Sequence, residues 1–296
     1  MQSMYVIACI PAFNEGKNIK KIILESLNHV NSVIVCDDNS TDDTFAEAES
    51  AGAYVIKHEQ NMGKGAALQS LFKFARHSNA DIIVTIDGDA QFLPSEIPKL
   101  IAPIIEKKSD IVIGYRFDDK TEMPSYRKAG NKFLDSLTNL ASELPFRDTQ
   151  SGFRAYSKKA IAEIHFTSNR FGADSEILVN ASRKNLKISE EKITVIYNTG
   201  GKTSTTNPVS HTTDVIASLI EQIAIRHPLK FLGIPGVILL SVGIIFSILT
   251  ISLFNDTRYF SIPSTLVSVG ALIIGVMLML ISVLLYSISK MMSKKR

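Results

Sequence analysis

Short apolar runs alternate with amphipathic stretches along the first half of this chain. The apolar runs, each of strand length, are Tyr5–Ile10, Val33–Cys36, Tyr54–Ile56, Ile82–Ile86 and Ile111–Ile113. The stretches between them have helical spacing and cover Asn18–Leu27, Thr44–Ser50, Ala66–Arg76 and Glu96–Glu106. Strands that alternate with helices in this way predict an α/β domain with a mostly parallel sheet covered by helices.

The pattern is less regular in the next part of the chain. The elements predicted there are, in chain order, a helix at Ser125–Ser142, a turn at Asp148–Gly152, helices at Lys158–Ile164 and Asp174–Lys184, and a strand at Lys192–Tyr197. The polar stretch Asn198–Pro208 is rich in Gly and Thr, which predicts a loop. We therefore expect the α/β domain to span residues 1–210.

Residues 211–230 carry the pattern of one amphipathic helix. Apolar side chains recur with the i, i+3, i+4, i+7 spacing of a single helix face at Ile216, Leu219, Ile220 and Ile223. The basic residues Arg226, His227 and Lys230 follow soon after these apolar positions. The combination predicts an interfacial helix that lies on a membrane, and an ordinary core helix of the preceding domain is the alternative.

Two long runs without a charged residue, Phe231–Phe254 and Ser261–Ser289, occupy the last part of the chain. Each exceeds the about 20 residues that a helix needs to span a bilayer. Their connector, Asn255–Phe260, is short, so residues 231–296 are expected to form a transmembrane hairpin with a basic C-terminal tail. Lys and Arg cluster at both outer ends of the hairpin, and the positive-inside rule therefore places the N-terminal domain and the C-terminus in the cytosol.

Composition narrows the class of protein further. The formal net charge is only +3, so the chain has no general polyanion-binding field and no nucleic-acid partner is expected. Its two cysteines, Cys9 and Cys36, fall in predicted buried strands without a CxxC spacing. We interpret them as reduced thiols of a cytosolic domain rather than a disulfide or a zinc site. The first apolar run is too short for a signal peptide and lacks its basic flank.

Asp87 and Asp89 come directly after the apolar run Ile82–Ile86. Open α/β sheets bind their ligands at the carboxyl ends of strands, where this pair is expected to lie. Two carboxylates one residue apart can share Mg²⁺ or Mn²⁺, which completes its shell with diphosphate oxygens and water. Gln91 could add a neutral oxygen. The alternative is a solvated acidic turn that caps a helix.

Two further motifs are expected at the same edge of the sheet. Pro11–Glu15 ends the first strand and Cys36–Asp42 ends the second. Acidic side chains there can accept hydrogen bonds from the base or the ribose hydroxyls of a nucleotide. For Asp42 and Asp43 the alternative is a place in the first turn of a helix that a preceding hydroxyl residue caps.

Two other features carry weaker signals. Asn61–Gly65 is not a phosphate-binding Walker loop, because no Ser or Thr follows Lys64. It predicts a tight turn into a helix whose N-terminus and lysine lie near phosphates. Three of the six histidines, His58, His77 and His165, lack metal-ligand spacing and are interpreted as surface or core residues.

In this order and spacing the motifs resemble family 2 glycosyltransferases of the GT-A fold. Among these the chain is most similar to dolichyl-phosphate mannose synthases and related polyprenyl-phosphate hexose synthases. The resemblance covers residues 4 to about 205. The motifs that carry it are Pro11–Glu15, Asp37–Thr44, Gly63–Gly65, Asp87–Gln91, Gly114–Arg116 and Asp148–Arg154.

The resemblance implies an inverting enzyme that moves one hexose from a UDP- or GDP-sugar to dolichyl or polyprenyl phosphate, for protein glycosylation or cell-surface glycan synthesis. It implies that the nucleotide is lined by Pro11, Phe13, Glu15, Asp37 and Asp38. It implies that Mg²⁺ or Mn²⁺ and the diphosphate are held by Asp87, Asp89 and Gln91. Near the sugar and the acceptor phosphate it places Arg116, Arg127 and Ser151. The catalytic set is then Asp89, Arg116, Arg127 and Lys202.

Two departures from the mannose synthases leave the donor open. Phe13 stands where those enzymes usually have Tyr. In Asn198–Ser204 only Lys202 is basic, whereas the mannose synthases carry arginines before a Gly-x-Ser-Lys stretch. The segment before His211 is more similar to archaeal dolichyl-phosphate hexosyltransferases, some of which use UDP-glucose.

Two other functions are weighed against this one. A processive polysaccharide synthase carries a Gln-x-x-Arg-Trp element, and this chain has no Trp. A non-catalytic membrane adaptor with the same fold has no need for the intact pair Asp87 and Asp89. The sugar, the base, the polyprenol length and the oligomeric state stay open.

Overall fold

The computed structural model describes residues 4–116, 132, 134–139, 142, 144–168, 172–196 and 228–294. The chain divides into two compact units, Met1–Leu219 and Ile220–Arg296. The first carries the sheet and the second carries the long apolar helices. The expected interfacial helix lies outside the described residues except at 228–230, so it stays a prediction.

Seven strands form the sheet within the described part of the first unit. They are β1 (Val6–Ala12), β2 (Ser32–Asp37), β3 (Tyr54–Lys57), β4 (Ile82–Thr85), β5 (Ile111–Tyr115), β6 (Arg154–Ser157) and β7 (Ile188–Lys192). Their order across the sheet is β3-β2-β1-β4-β6-β5-β7. Strand β6 runs antiparallel to β4 and β5, and all other neighbours are parallel. The mostly parallel sheet expected from the sequence is therefore confirmed.

Helices cover both faces of the sheet. They are α1 (Ile19–Leu27), α2 (Thr44–Ser50), α3 (Lys64–His77), α4 (Ile97–Ile105), α5 (Lys158–Glu163) and α6 (Ala173–Arg183). On one face Ile10 and Val84 share a core with α1, α2 and α4, and on the other Ile7 and Ile83 share a core with α3, α5 and α6. Because both faces of the central parallel strands β1, β2 and β4 are buried, these strands are mostly apolar, which makes them conspicuous in the sequence.

Strand β6 departs from the sequence prediction, which places only a turn before Lys158. It lies between β4 and β5 and begins with Arg154, which is fully buried. The guanidinium group donates hydrogen bonds to the backbone carbonyls of Thr149, Ser151 and Asp174 at 2.7, 2.8 and 2.8 Å. An arginine buried against backbone carbonyls breaks the apolar pattern, and for this reason the pattern does not predict the strand.

The predicted strand at Lys192–Tyr197 is wrong, because β7 ends at Lys192. The strand is polar and half-buried, as an edge strand can be. Beyond it, Ile193 is buried in the core, and Val195 makes an isolated antiparallel bridge to Phe92. Ile193 and Val195 are therefore core contacts of the chain after β7, whereas Ile196 is exposed and Tyr197 lies outside the described residues.

Two long helices make up the described part of the second unit. A π-helical turn, Leu229–Gly233, precedes α7 (Ile234–Thr257), and α8 (Ile262–Lys294) follows after a short connector. The segments Leu229–Thr257 and Ile262–Ile288 are long and apolar enough to cross a membrane by length and composition. Large apolar side chains cover their outer surfaces. These helices form the candidate transmembrane hairpin.

The two helices pack through small and hydroxyl side chains. A Cβ on Gly243 would lie 2.9 Å from the backbone nitrogen of Leu272, so the helix backbones are in close approach there. The Ser247 and Ser268 hydroxyls lie 2.5 Å apart, and the Thr250 hydroxyl donates to Ser264 at 2.9 Å. Small residues and interhelical hydrogen bonds are the usual means of helix association where lipid removes the hydrophobic driving force.

We expect Gly243→Leu to separate α7 from α8, since overpacking a tight contact costs about 1–3 kcal/mol. Gly270→Leu is the matched control, because a Cβ at Gly270 meets no atom within 4 Å. The measurement is limited proteolysis of the full chain in detergent micelles, followed by mass spectrometry. Faster cleavage between residues 231 and 288 is expected in the first variant alone, and equal cleavage in both would contradict the close packing.

Candidate active site

The strand order reverses between β1 and β4, so the loops after these strands meet at one edge of the sheet, beside the loop after β2. Hydrogen bonds join the loop after β1 to the loop after β2. Asn14 N donates to Ser40 Oγ at 2.9 Å, and Asn14 Oδ1 accepts from Thr41 N at 2.8 Å. Glu15 N donates to Thr44 Oγ1 at 2.8 Å. The loop after β1 is therefore held in place by the loop after β2.

Helix α2 begins at Thr44 and is capped differently from the sequence expectation. Asp42 Oδ1 accepts from Thr44 N at 3.0 Å, while Asp42 Oδ2 accepts from Gly16 N at 3.0 Å. A carboxylate, rather than a hydroxyl residue, thus accepts from the first backbone nitrogen of the helix. Asp42 serves both loops, and its role in the structure is to support the edge of the sheet.

Three non-glycine residues of this edge have left-handed backbone conformations. Asn14, Asn39 and Ala90 have φ values of 58°, 61° and 59°. Asn tolerates this region, whereas Ala rarely adopts it. Such strain persists where the surrounding structure holds it, and it collects at functional sites. One of the three positions lies on the loop after each of β1, β2 and β4.

Three carboxylates crowd together between these loops. Burial, followed by the charges of Asp89 and Asp87, raises the pKa of Glu15 to about 7, although a hydrogen bond with Asn18 opposes the shift. Burial and the charge of Asp87 raise the pKa of Asp89 to about 6. Each ionised carboxylate disfavours the ionisation of its neighbours. The group therefore carries negative charge that its own surroundings neutralise incompletely.

Lys64 supplies positive charge to this group from the first turn of α3. Its Nζ lies 2.8 Å from Asp87 Oδ1 and 3.4 Å from Asp174 Oδ2. Burial acts to lower the pKa of Lys64, but the charges of Asp174 and Asp87 outweigh it and the pKa lies above its ordinary value. A Cβ on Gly152 would come within 2.7 Å of the same Nζ and 2.6 Å of Asp87 Oδ1. Gly152 therefore makes room for this ion pair.

Two aspartates at the end of β2 are buried beside this ion pair. Asp38 accepts hydrogen bonds from the backbone nitrogens of Met62 and Gly63 at 2.9 and 2.7 Å, directly before Lys64. Asp37 Oδ1 accepts from Ser40 N at 3.0 Å. Within the described part of the chain, the other oxygen of Asp37 is buried without a hydrogen-bond partner. A buried carboxylate oxygen without a partner is costly, and a bound ligand could satisfy it.

Arg116 belongs to a second polar group, on the loop after β5. Its guanidinium donates to both oxygens of the fully buried Asp148 at 2.7 and 2.8 Å. Nearby, Asp135 accepts from the backbone and the hydroxyl of Thr149 at 2.8 and 2.7 Å, and burial raises the pKa of Asp135 to about 6. Arg116 is thus held in one orientation by a bidentate ion pair.

A family model described as glycosyl transferase family 2 matches residues 7–165, which contain β1 to β6 and the carboxylates at their ends. The chain belongs to glycosyl transferase family 2. It is therefore a glycosyltransferase, as the sequence motifs imply.

Two relatives with known names are similar in sequence to this glycosyltransferase. The UDP-N-acetylglucosamine–dolichyl-phosphate N-acetylglucosaminyltransferase of Methanococcus voltae is 35% identical over 220 residues, which cover 67% of this chain and 88% of the relative. A dolichyl-phosphate beta-glucosyltransferase of Trichomonas vaginalis is 28% identical and covers 76% of this chain and 74% of its own.

A solved structure shares the fold of this glycosyltransferase. Glucosyl-3-phosphoglycerate synthase from Mycobacterium tuberculosis, in complex with Mn²⁺ and UDP-glucose, matches with a TM-score of 0.60 at 22% identity, over 74% of this chain and 79% of that one. At this identity the likeness shows the fold alone. The GT-A fold expected from the sequence is confirmed.

The structure brings most of the expected site residues of the glycosyltransferase to one edge of the sheet. Those at the ends of β1, β2 and β4 and at the start of α3 are Pro11, Phe13, Glu15, Asp37, Asp38, Lys64, Asp87, Asp89 and Gln91. Ser151 is fully buried beside Gly152, and its carbonyl accepts from Arg154 at 2.8 Å. Arg127 and Lys202 lie outside the described residues. The roles of all these residues stay predictions.

Four residues of the site are not singled out by the sequence motifs. Asp174 pairs with Lys64, Gly152 leaves room for Asp87, and Asp148 holds Arg116. His58, interpreted above as a surface or core residue, lies 2.7 Å from Asp38. Each contacts a partner that is distant in sequence. Of the four, only Gly152 and Asp148 lie within a family motif, Asp148–Arg154, so only these two could have been identified from the sequence.

The side-chain oxygens after β4 are suitable ligands for a divalent cation in this glycosyltransferase. Asp87 and Asp89 offer carboxylate oxygens and Gln91 an amide oxygen, which are ligands that Mg²⁺ and Mn²⁺ accept. Burial and the charge of Asp87 raise the pKa of Asp89, and a cation bound here would favour its ionised form. Among the described residues, no three His, Cys, Asp or Glu side chains could hold a metal together. Water and substrate oxygens are then needed to complete the shell.

The raised pKa of Glu15 predicts how the metal-free protein responds to pH. A raised folded-state pKa adds stability that is fully present below the ordinary value of 4.5 and is lost as pH rises through about 7. In the thermal unfolding of metal-free protein, the melting temperature should therefore fall less over this window in Glu15→Gln than in the wild type. Glu25→Gln, on the exposed side of α1, is the control. An unchanged slope in Glu15→Gln would show that Glu15 is ionised normally.

Proposed function

We propose that this glycosyltransferase moves one hexose from a nucleotide sugar to dolichyl or polyprenyl phosphate on the cytosolic face of a membrane. The observation that carries the proposal is the crowded acidic group at the carboxyl edge of the sheet, on a chain that continues into two apolar helices. A soluble, anionic donor suits the first feature. A lipid-borne acceptor suits the second.

The strand-end loops support a nucleotide-sugar donor. The unsatisfied oxygen of Asp37 and the remaining acceptor capacity of Asp38 suit the hydroxyl and N–H groups of a nucleoside. A UDP-linked donor is the first choice, because the relative from Methanococcus voltae is named for UDP-N-acetylglucosamine and the structural neighbour holds UDP-glucose. A GDP-linked donor is the alternative that the same loops permit.

Asp87, Asp89 and Gln91 are proposed to hold Mg²⁺ or Mn²⁺ against the diphosphate. When bound, the cation supplies positive charge that stabilises the leaving nucleoside diphosphate. Lys64 adds a fixed ammonium group beside Asp87, so its charge is in place before the reaction begins. Asp174 Oδ2 also lies 3.4 Å from that ammonium group. The protein thereby orients the diphosphate as the leaving group.

A phosphate acceptor explains why the proposed chemistry needs no general base. The second pKa of a phosphate monoester is about 6, so the acceptor already carries most of its charge at neutral pH. An oxygen of the acceptor phosphate attacks the anomeric carbon, the bond from that carbon to the diphosphate breaks, and the configuration inverts. Arg116, fixed by Asp148, and the predicted contributions of Arg127, Ser151 and Lys202 would position the acceptor phosphate.

The two apolar helices are proposed to anchor the enzyme in the membrane that holds its acceptor. The relatives from Methanococcus voltae and Trichomonas vaginalis are both named for dolichyl phosphate, which supports a lipid acceptor. The basic residues at the outer ends of the hairpin, such as Lys230 and Lys290, support a cytosolic catalytic domain.

The proposal is tested by product analysis. Purified full-length protein is incubated with dolichyl phosphate, Mn²⁺ and a panel of UDP- and GDP-sugars, and the lipid product is identified by mass. One hexosyl or N-acetylhexosaminyl phosphodolichol is expected. Elongated glycan chains would favour a processive synthase, and an absence of product with every donor would favour a non-catalytic role.

Asp89→Ala should lower turnover on the order of 100-fold, which is typical for the loss of one group that stabilises a developing charge. The domain should still fold, since Asp89 lies on a strand-end loop. Asp43→Ala is the matched control, because Asp43 is an exposed acid of the same edge of the sheet, directly before α2. Steady-state rates with the identified donor are the measurement. Equal rates in both variants would remove Asp89 from the metal site.

A further inference from the structure

His58 follows β3, and its side chain is only 9% exposed. Its Nδ1 lies 2.7 Å from Asp38 Oδ1, and its Nε2 lies 2.8 Å from Ser70 Oγ on α3. A carboxylate accepts hydrogen bonds and cannot donate them when ionised, so Nδ1 carries the proton of this contact. The Ser70 hydroxyl can either donate or accept. The ring therefore joins the end of the sheet to the first part of α3 in one orientation.

Asp38, which His58 contacts, also accepts hydrogen bonds from the turn at the start of α3. Asp38 accepts from Met62 N at 2.9 Å and from Gly63 N at 2.7 Å, in addition to the imidazole. These bonds hold the turn that opens the helix, where Gly63 has a left-handed φ of 93°. A carboxylate has about four acceptor positions, so one position of Asp38 stays available for a ligand.

The residue that follows this turn is Lys64, whose Nζ reaches Asp87 at 2.8 Å and Asp174 at 3.4 Å. The side chain starts from a backbone position that the bonds from Gly63 and Met62 to Asp38 determine. A change in the orientation of Asp38 therefore moves the start of α3, and with it the ammonium group. The path from His58 to Asp87 consists of contiguous contacts within the described residues.

We propose that His58 is a positioning residue of the donor site, which orients Asp38 and, through the Met62–Gly63 turn, holds Lys64 against Asp87. The inference rests on the proposed function, because it assumes that a nucleoside diphosphate binds at this edge. Its consequence is that the part of the site that meets the nucleoside and the part that meets the diphosphate are mechanically coupled. His77 is exposed, and within the described residues it contacts the carbonyl of Lys73 in its own helix, so it has no comparable position.

The test is a double-variant cycle on the full-length protein in detergent, with UDP and Mn²⁺ as the probe and calorimetry as the measurement. His58→Phe should weaken UDP binding about tenfold, because a hydrogen bond to a charged group contributes about that factor. The same substitution in a Lys64→Met background should weaken binding little further. His77→Phe is the matched control and should bind UDP as the wild type does.

Equal losses caused by His58→Phe with and without Lys64→Met would overturn the proposal, since independent sites add. His58→Asn is the conservative variant, because its amide can donate to Asp38 from near the place of Nδ1. It should restore most of the affinity that His58→Phe loses. If His58→Asn binds as weakly as His58→Phe, the ring acts by packing and not by orienting Asp38.

Hydrogen exchange separates this inference from the proposed function. In protein without nucleotide, His58→Phe should speed the exchange of the Met62 and Gly63 amides, and His77→Phe should leave it unchanged. Unchanged exchange in His58→Phe overturns the coupling whether or not UDP binds. Failure of the wild type to bind UDP or GDP, with exchange altered as expected, overturns the proposed function alone. Should His58→Phe not fold, Ser70→Ala replaces it and should show a smaller increase in the same amides.

Discussion

The crowding of negative charge at the carboxyl edge of the sheet is the constraint on which the rest of the site depends. Burial and the charges of Asp89 and Asp87 raise the pKa of Glu15, and burial and the charge of Asp87 raise that of Asp89. Like charges in a partly buried place are unfavourable unless positive charge lies close by. Lys64 offsets part of this repulsion through its contacts with Asp87 and Asp174. A divalent cation would offset more, which is why the arrangement suits a metal and a diphosphate.

Holding such a group in place requires rigid surroundings, and the fold provides them at several points. The loops after β1 and β2 are joined by side chain to backbone hydrogen bonds, and one residue on the loop after each of β1, β2 and β4 keeps a left-handed conformation. Strand β6 brings Gly152 against Asp87, where a larger residue does not fit. Buried Arg154 fixes the loop before β6 through backbone carbonyls. The strain and the buried charge are tolerated because the two cores on either side of the sheet are extensive.

The second unit has a different distribution of apolar and polar side chains. Its helices expose large apolar side chains and turn small and hydroxyl residues toward each other. In water this arrangement would be unfavourable, since a soluble protein buries its apolar residues and exposes the polar ones. In lipid it is the expected one, because close backbone contact and hydrogen bonds between helices replace the hydrophobic effect. One chain therefore carries two units that are stable in different solvents.

The sequence by itself determined the elements whose pattern is local. The central parallel strands β1, β2 and β4 are apolar because helices cover both faces, and the hairpin helices are apolar throughout, so both could be predicted from the sequence. The pair Asp87 and Asp89 was also predictable, since it follows directly after such a strand. Boundaries were recovered to within a few residues for α1 to α6.

Only the tertiary structure decided the features that depend on distant partners. Strand β6 is central although it begins with arginine, because carbonyls of Thr149, Ser151 and Asp174 satisfy that side chain. Ile193 and Val195 after Lys192 pack on the core and do not belong to a strand, since their partners lie across the fold. The contact between His58 and Asp38 joins residues that are 20 positions apart in sequence. In each case the energy comes from burial or hydrogen bonding between segments far apart in sequence, and a local pattern of apolar and polar residues does not record such pairs.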